Sequence, residues 1–201
     1  MVRADCGGCE GCSQCCHGMG NSIILDPYDV YRMTTGMGKS MQELLAASVE
    51  LNVVDGVILP NLKMQGTEEA CAYLDEEGRC SIHPYRPGIC RLFPLGRYYE
   101  NGGFSYFLQT GECAKENRSK VKVSKWIDTP DLTRNQQFTL QWHDLLHAME
   151  ERLTGEDEGK QREENLLLLR LFYLLPYEGT IDFYSQFMER MEYWNEQNGQ
   201  I

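Results

Sequence analysis

Phe138, Trp142, Leu145, Met149 and Leu153 recur every three or four residues through NQQFTLQWHDLLHAMEERL. This spacing lays one apolar stripe along a helix, and Gly155 is placed to stop it. A second helix is predicted over KQREENLLLLRLFYLL, ending before Pro176, and a third over TIDFYSQFMERMEYWNEQ, opened by a Thr180 cap. The polar stretch GEDEGKQREE between the first two reads as a mobile linker.

Before about residue 120 the pattern shortens. In LDPYDVYRM, Asp26 suits an N-cap and Pro27 the first helical position. Ser40 and Glu43 in SMQELLAASVEL form a capping box for another helix. Asp55-Gly56 between the β-branched residues of NVVDGVIL predicts a hairpin. CAYLDEEGRCSI predicts a second, turning at Glu77-Gly78, and GGFSYFLQT predicts a strand. The expected fold is therefore α+β. A small cysteine-rich module nucleated by metal, with short hairpins and helices, occupies residues 1–118. A helical C-terminal region, residues 119–201, packs on it.

The change of pattern coincides with a change in chemistry. All nine cysteines lie before residue 120, and five of them fall between Cys6 and Cys16. No basic segment followed by an apolar run precedes them, so a cytoplasmic protein is expected, in a compartment that keeps thiols reduced. Nine reduced cysteines argue for metal or redox chemistry rather than a disulfide framework. The apolar run near residue 170 is too short, and too interrupted by Arg170, to span a bilayer. A formal net charge of -11, from 30 acidic and 19 basic residues, disfavours nucleic acid and anionic membrane surfaces as partners. There is no glycine-rich phosphate loop, nucleophile elbow or dinucleotide fingerprint.

Two groups of thiols stand out. Cys9, Cys12, Cys15 and Cys16 form a compact run with Gly11 for a bend, whereas Cys71, Cys80, Cys90 and Cys113 are dispersed. Four thiolates complete either a tetrahedral zinc site or an iron–sulfur cluster. Neighbouring side chains diverge, so Cys15 and Cys16 are expected to serve two centres, or one centre and its surroundings. Cys6 reads equally as a spare thiol or as a further ligand. Arg91, beside Cys90, is expected to moderate the negative charge of a bound centre, with Arg86 and Arg97 nearby; pairing with Asp75 or Glu76 is the structural alternative. His17 suits a cap or a hydrogen bond behind the ligands, and His83 a turn. His143 and His147 have the i, i+4 spacing of paired ligands but lack the Glu and third ligand of a zincin, so they read as helix-surface residues.

The series CEGCSQCC, CAYLDEEGRCSIHPYRPGICRLFPL and GEC resembles the YkgJ-type cysteine-cluster family, the CxxCxxCC zinc- or iron-chelating domain. The similarity runs from about residue 6 to residue 115, and the middle segment is its most specific part. It implies that Cys9, Cys12, Cys15, Cys16, Cys71, Cys80, Cys90 and Cys113 bind metal. Cys6 lies outside the pattern, and His83 stands where the family more often has Tyr. The resemblance supplies no reaction.

The expected function is metal binding. Zinc modules usually use two Cys-x2-Cys pairs, and a single compact run with scattered companions favours an iron–sulfur cluster, with Zn2+ as the alternative. An electron-transfer role implies a redox partner protein. A structural zinc module would leave the helical half as a protein-binding surface. As an enzyme, the nearest analogy is flagellin lysine methylase, which carries a similar cysteine domain, but no methyl-donor site or catalytic base is identifiable.

Overall fold

The computed structural model describes residues 1–5, 7, 12–113, 115 and 117–199. Its first helix, α1 (Pro27–Met37), starts where the sequence predicts: the Asp26 carboxylate accepts the Asp29 N–H, and Asp29 reciprocates on the Asp26 N–H. Helix α2 (Met41–Ala47) opens on the Ser40–Glu43 capping box. Strands β2 (Val49–Val54) and β3 (Val57–Leu62) form the predicted hairpin. Asp55 and Gly56 take φ of 50° and 82°, the two positive values that a type I′ turn demands.

The second predicted hairpin is reduced to one bridge, Leu74 to Cys80. Asp75 explains this: its carboxylate accepts the N–H groups of Glu77 and Arg79, so the turn is bonded to a side chain instead of extending a ladder. Ala70–Cys71 (β5) instead pairs with Met64–Gln65 (β4). The strand predicted over GGFSYFLQT spans Gly103–Leu108 (β7) and pairs with Leu95–Glu100 (β6), across an Asn101-Gly102 turn with both φ positive. A further pairing joins the N-terminal strand β1 (Val2–Asp5) to β8 (Ser119–Val121).

After a short helix, α3 (Gly88–Leu92), and another, α4 (Val123–Ile127), the chain enters three long helices. Helix α5 (Leu132–Leu153) buries the whole predicted stripe from Phe138 to Leu153. Helix α6 (Glu158–Leu169) begins inside the segment read as a linker, capped by Asp157. It does not run straight to Pro176 but widens into a π turn over Arg170–Leu174. The buried Arg190 accounts for the ending, because its guanidinium donates to the carbonyls of Leu171, Leu175 and Pro176. Helix α7 (Phe183–Asn198) is capped by Asp182, not Thr180, through the Ser185 N–H.

One hydrophobic core collects residues from both sides of position 118, including Tyr28 of α1, Leu59 of β3, Phe138 of α5, Phe172 of the π turn and Trp194 of α7. Aromatic contacts knit it: Tyr28 to Phe183 at 5.0 Å and Phe138 to Phe187 at 4.8 Å between ring centres. Asn165 bolts α6 to the first hairpin, accepting the Ile58 N–H at 2.6 Å and donating to the Gly56 carbonyl. A smaller core of Leu92, Leu95 and Ile127 lies under β6 and α4. The cysteine-bearing loops are mounted on this scaffold. Among the described residues no helix is long and apolar enough to cross a membrane.

Candidate metal centre

Cys15 and Cys16 sit on a 3₁₀ turn, Gln14–Cys16. Such a turn advances about 120° per residue, and both thiols line the same cavity. His17 pairs as a bridge with Ala70, and the Gly18 N–H donates to the Glu69 carbonyl, which lays this turn beside Cys71. The His17 ring holds the same seam, its Nδ1 lying 3.3 Å from the Glu68 carbonyl.

Cys80 is brought back to Cys71 by the Leu74–Cys80 bridge and by the Ser81 N–H donating to Tyr73. The Tyr73 hydroxyl in turn meets Ser48 Oγ at 2.6 Å, tying this loop to the end of α2. Cys90 arrives on α3, and α3 is anchored to α1 by one carboxylate. Asp29 accepts the Gly88 N–H at 2.7 Å and lies 3.8 Å from the Arg91 guanidinium, all of it buried. The 3₁₀ turn His83–Tyr85 packs Tyr85 against Gly36 of α1, where a Cβ would collide with the ring.

Together these contacts place Cys15, Cys16, Cys71, Cys80 and Cys90 on the wall of one cavity of about 270 Å³. Ile23, Leu62 and Ile82 close its floor, and Arg86, Gln109 and Glu112 also line it. All five cysteines are free and half-buried. Cys12 and Cys113 are free and half-buried as well but do not line this cavity. Cys6 and Cys9 lie outside the described residues. Among those described, no three His, Cys, Asp or Glu side chains converge on a single point as ligands of one ion.

The thiols feel one another. The Cys16 S–H donates to the Cys15 sulfur, which brings Cys15 down to about 6 and pushes Cys16 up. Burial raises Cys71, Cys80 and, most strongly, Cys90; the charges of neighbouring thiols add to each, and the Asp29 carboxylate adds to Cys90. Metal-free, the cavity favours protonated thiols at four of its five positions. A soft cation would displace those protons and supply the missing positive charge.

Arg91 does not line the cavity. It is buried, donates to Thr129 Oγ1 at 2.8 Å, faces Asp29 and sits over the Tyr28 ring. Arg97 lies over Phe104. Arg86 is the arginine on the cavity wall, and its positive charge favours the thiolates of Cys15 and Cys80. His143, half-buried, stacks on Tyr99 at 3.8 Å, and His147 is exposed on α5; both are far in sequence from these thiols.

A small α+β fold that gathers cysteines from four separate segments around one space defines a thiol-rich metal-chelating domain. The donor set fits a soft metal, zinc or iron in sulfur ligation, and fits calcium or magnesium poorly. The chain belongs to the CxxCxxCC family, described as "Putative zinc- or iron-chelating domain", which it matches over residues 8–139. The match runs past the last cysteine into α5, so the family unit includes the first part of the helical half. No curated relative and no solved structure matches the chain.

Proposed function

We propose that the chain holds an iron–sulfur cluster in this cavity, ligated by Cys15, Cys71, Cys80 and Cys90. The observation that supports the reading is that these four thiols line one cavity of about 270 Å³ while, among the described residues, no three of them converge as the ligands of a single ion, as the closed tetrahedral site of one zinc requires. A cluster has several iron corners and takes ligands that stand farther apart. Cys16 is then left to donate its S–H to the Cys15 sulfur, a hydrogen bond of the kind that tunes such centres.

A bound cluster would supply one-electron transfer or a structural staple. The chain's own residues do the rest: the loops present sulfur, the apolar floor limits water, and Asp29 holds α3 so that Cys90 faces inward. Electron transfer calls for a redox partner protein, and the free thiols for a reducing compartment such as the cytoplasm. Anaerobic purification followed by metal and acid-labile sulfide analysis tests the proposal. A brown protein absorbing near ~400 nm, with iron and sulfide in comparable amounts, is expected. A colourless protein with stoichiometric zinc and no sulfide refutes the cluster and leaves a zinc-chelating domain.

A further inference from the structure

A site of four thiolates accumulates negative charge in a partly apolar cavity, and three arginines lie close in sequence to Cys90. Two are committed elsewhere: Arg91 to Asp29 and Thr129, Arg97 to the face of Phe104. Arg86 alone of the three lines the cavity, half-buried, between Cys80 and Cys90 in the chain. Its backbone is extended, with φ −55° and ψ 146°, as the following Pro87 requires. The turn that carries it is seated on α1, through Tyr85 against Gly36 and through the Arg32 guanidinium donating to the Pro84 carbonyl. The turn before Arg86 is therefore held on α1, and Gly88 after it is held by Asp29, so the backbone that places Arg86 on the cavity wall is fixed on both sides.

We infer that Arg86 is the charge-balancing residue of this centre, a positioning residue that offsets part of the thiolate charge around the bound metal. The inference rests on metal occupying the thiol cavity, as proposed above, but not on which metal it is. Its place on the wall shared with Cys15, Cys71, Cys80 and Cys90, where neither Arg91 nor Arg97 stands, supports it.

Arg86→Gln and Arg86→Lys, made in the full chain and purified anaerobically, test this. Metal and sulfide analysis of the unaltered protein comes first and decides the cluster reading separately. If iron and sulfide are bound, reductive titration should give a lower midpoint potential for Arg86→Gln, because an added electron loses a nearby cation, and Arg86→Lys should recover most of the difference. If zinc is bound instead, a competing chelator should strip Arg86→Gln roughly 10–100-fold more readily, with Arg86→Lys near the original. An unchanged potential or zinc retention in Arg86→Gln overturns the inference. If Arg86→Gln loses its metal during preparation, Arg86→Lys decides: retention supports a role for charge, and equal loss overturns it. A protein that binds neither metal overturns both readings.

Discussion

Asp29 is one carboxylate with three duties: it caps α1, holds the first turn of α3 and faces Arg91. Burial, and then the charge of Asp26, raise it from 3.8 to about 7, against the pull of Arg91 and the N–H donors. A carboxyl raised in the fold is favoured there in its neutral form. Its contribution to stability is thus full below pH 3.8 and is lost as pH rises through about 7. Asp29→Asn keeps the shape and removes the titration. The stability of the unaltered protein relative to this variant should therefore fall between about pH 4 and pH 7 and level off above; urea midpoints at matched metal content would show it, and a constant difference would refute it. The thiols offer a second comparison. Cys16→Ser keeps a hydrogen-bond donor for the Cys15 sulfur and should retain metal, whereas Cys15→Ser and Cys90→Ser should lose most of it. Elemental analysis that finds Cys16→Ser as depleted as Cys90→Ser would reassign the ligands. Cys113→Ser should match the unaltered protein, since Cys113 does not itself line the cavity although its neighbour Glu112 does.

At the scale of elements, α1 is the frame on which the centre is assembled. Its cap and its helical span follow from Asp26, Pro27 and Asp29 in sequence, but Gly36 has no local rationale, since glycine within a helix costs about 1 kcal/mol relative to alanine. The reason is the Tyr85 ring, which occupies the place of a side chain there. Gly36→Ala should therefore destabilise the protein by about 1–3 kcal/mol, the opposite of the propensity effect, and reduce bound metal by displacing the His83–Tyr85 turn. A more stable Gly36→Ala with full metal content would show that the turn is free to move. Strand β6 and the pairing of β1 with β8 were passed over in sequence for different reasons. Asn101-Gly102 is a hairpin signal as strong as Asp55-Gly56, and reading LGRYYE against GGFSYFL across it would have found β6. No local signal marks β1 and β8, whose partners are more than a hundred residues apart. Thr180 lost the cap of α7 to Asp182 because a carboxylate bonds the Ser185 N–H and backbone geometry admits one cap.

For the whole molecule, the large core includes α1, the first hairpin and α5 to α7, and the cysteines are at most packed against its edge. Chelation should accordingly loosen the loops around the cavity while the helical core stays folded. Far-UV dichroism would be largely kept, near-UV dichroism would fall, and hydrogen exchange would rise over residues 12–18 and 64–93 before α5. Simultaneous loss of helical signal would mean that metal binding and core folding are one transition. The sequence by itself determined the apolar stripe of α5, the caps of α1 and α2, the first hairpin and the soft-metal character of the thiols. Each depends on spacing or chemistry within a few residues, where backbone geometry leaves little choice. Only the tertiary structure decided which thiols share a cavity and which arginine faces them. Arg86 and Arg91 are alike in sequence, both near Cys90, and differ because α3 docks on a buried carboxylate that claims Arg91. Cys15 and Cys71 meet because two loops pair as backbone, a contact between distant segments that no local pattern encodes.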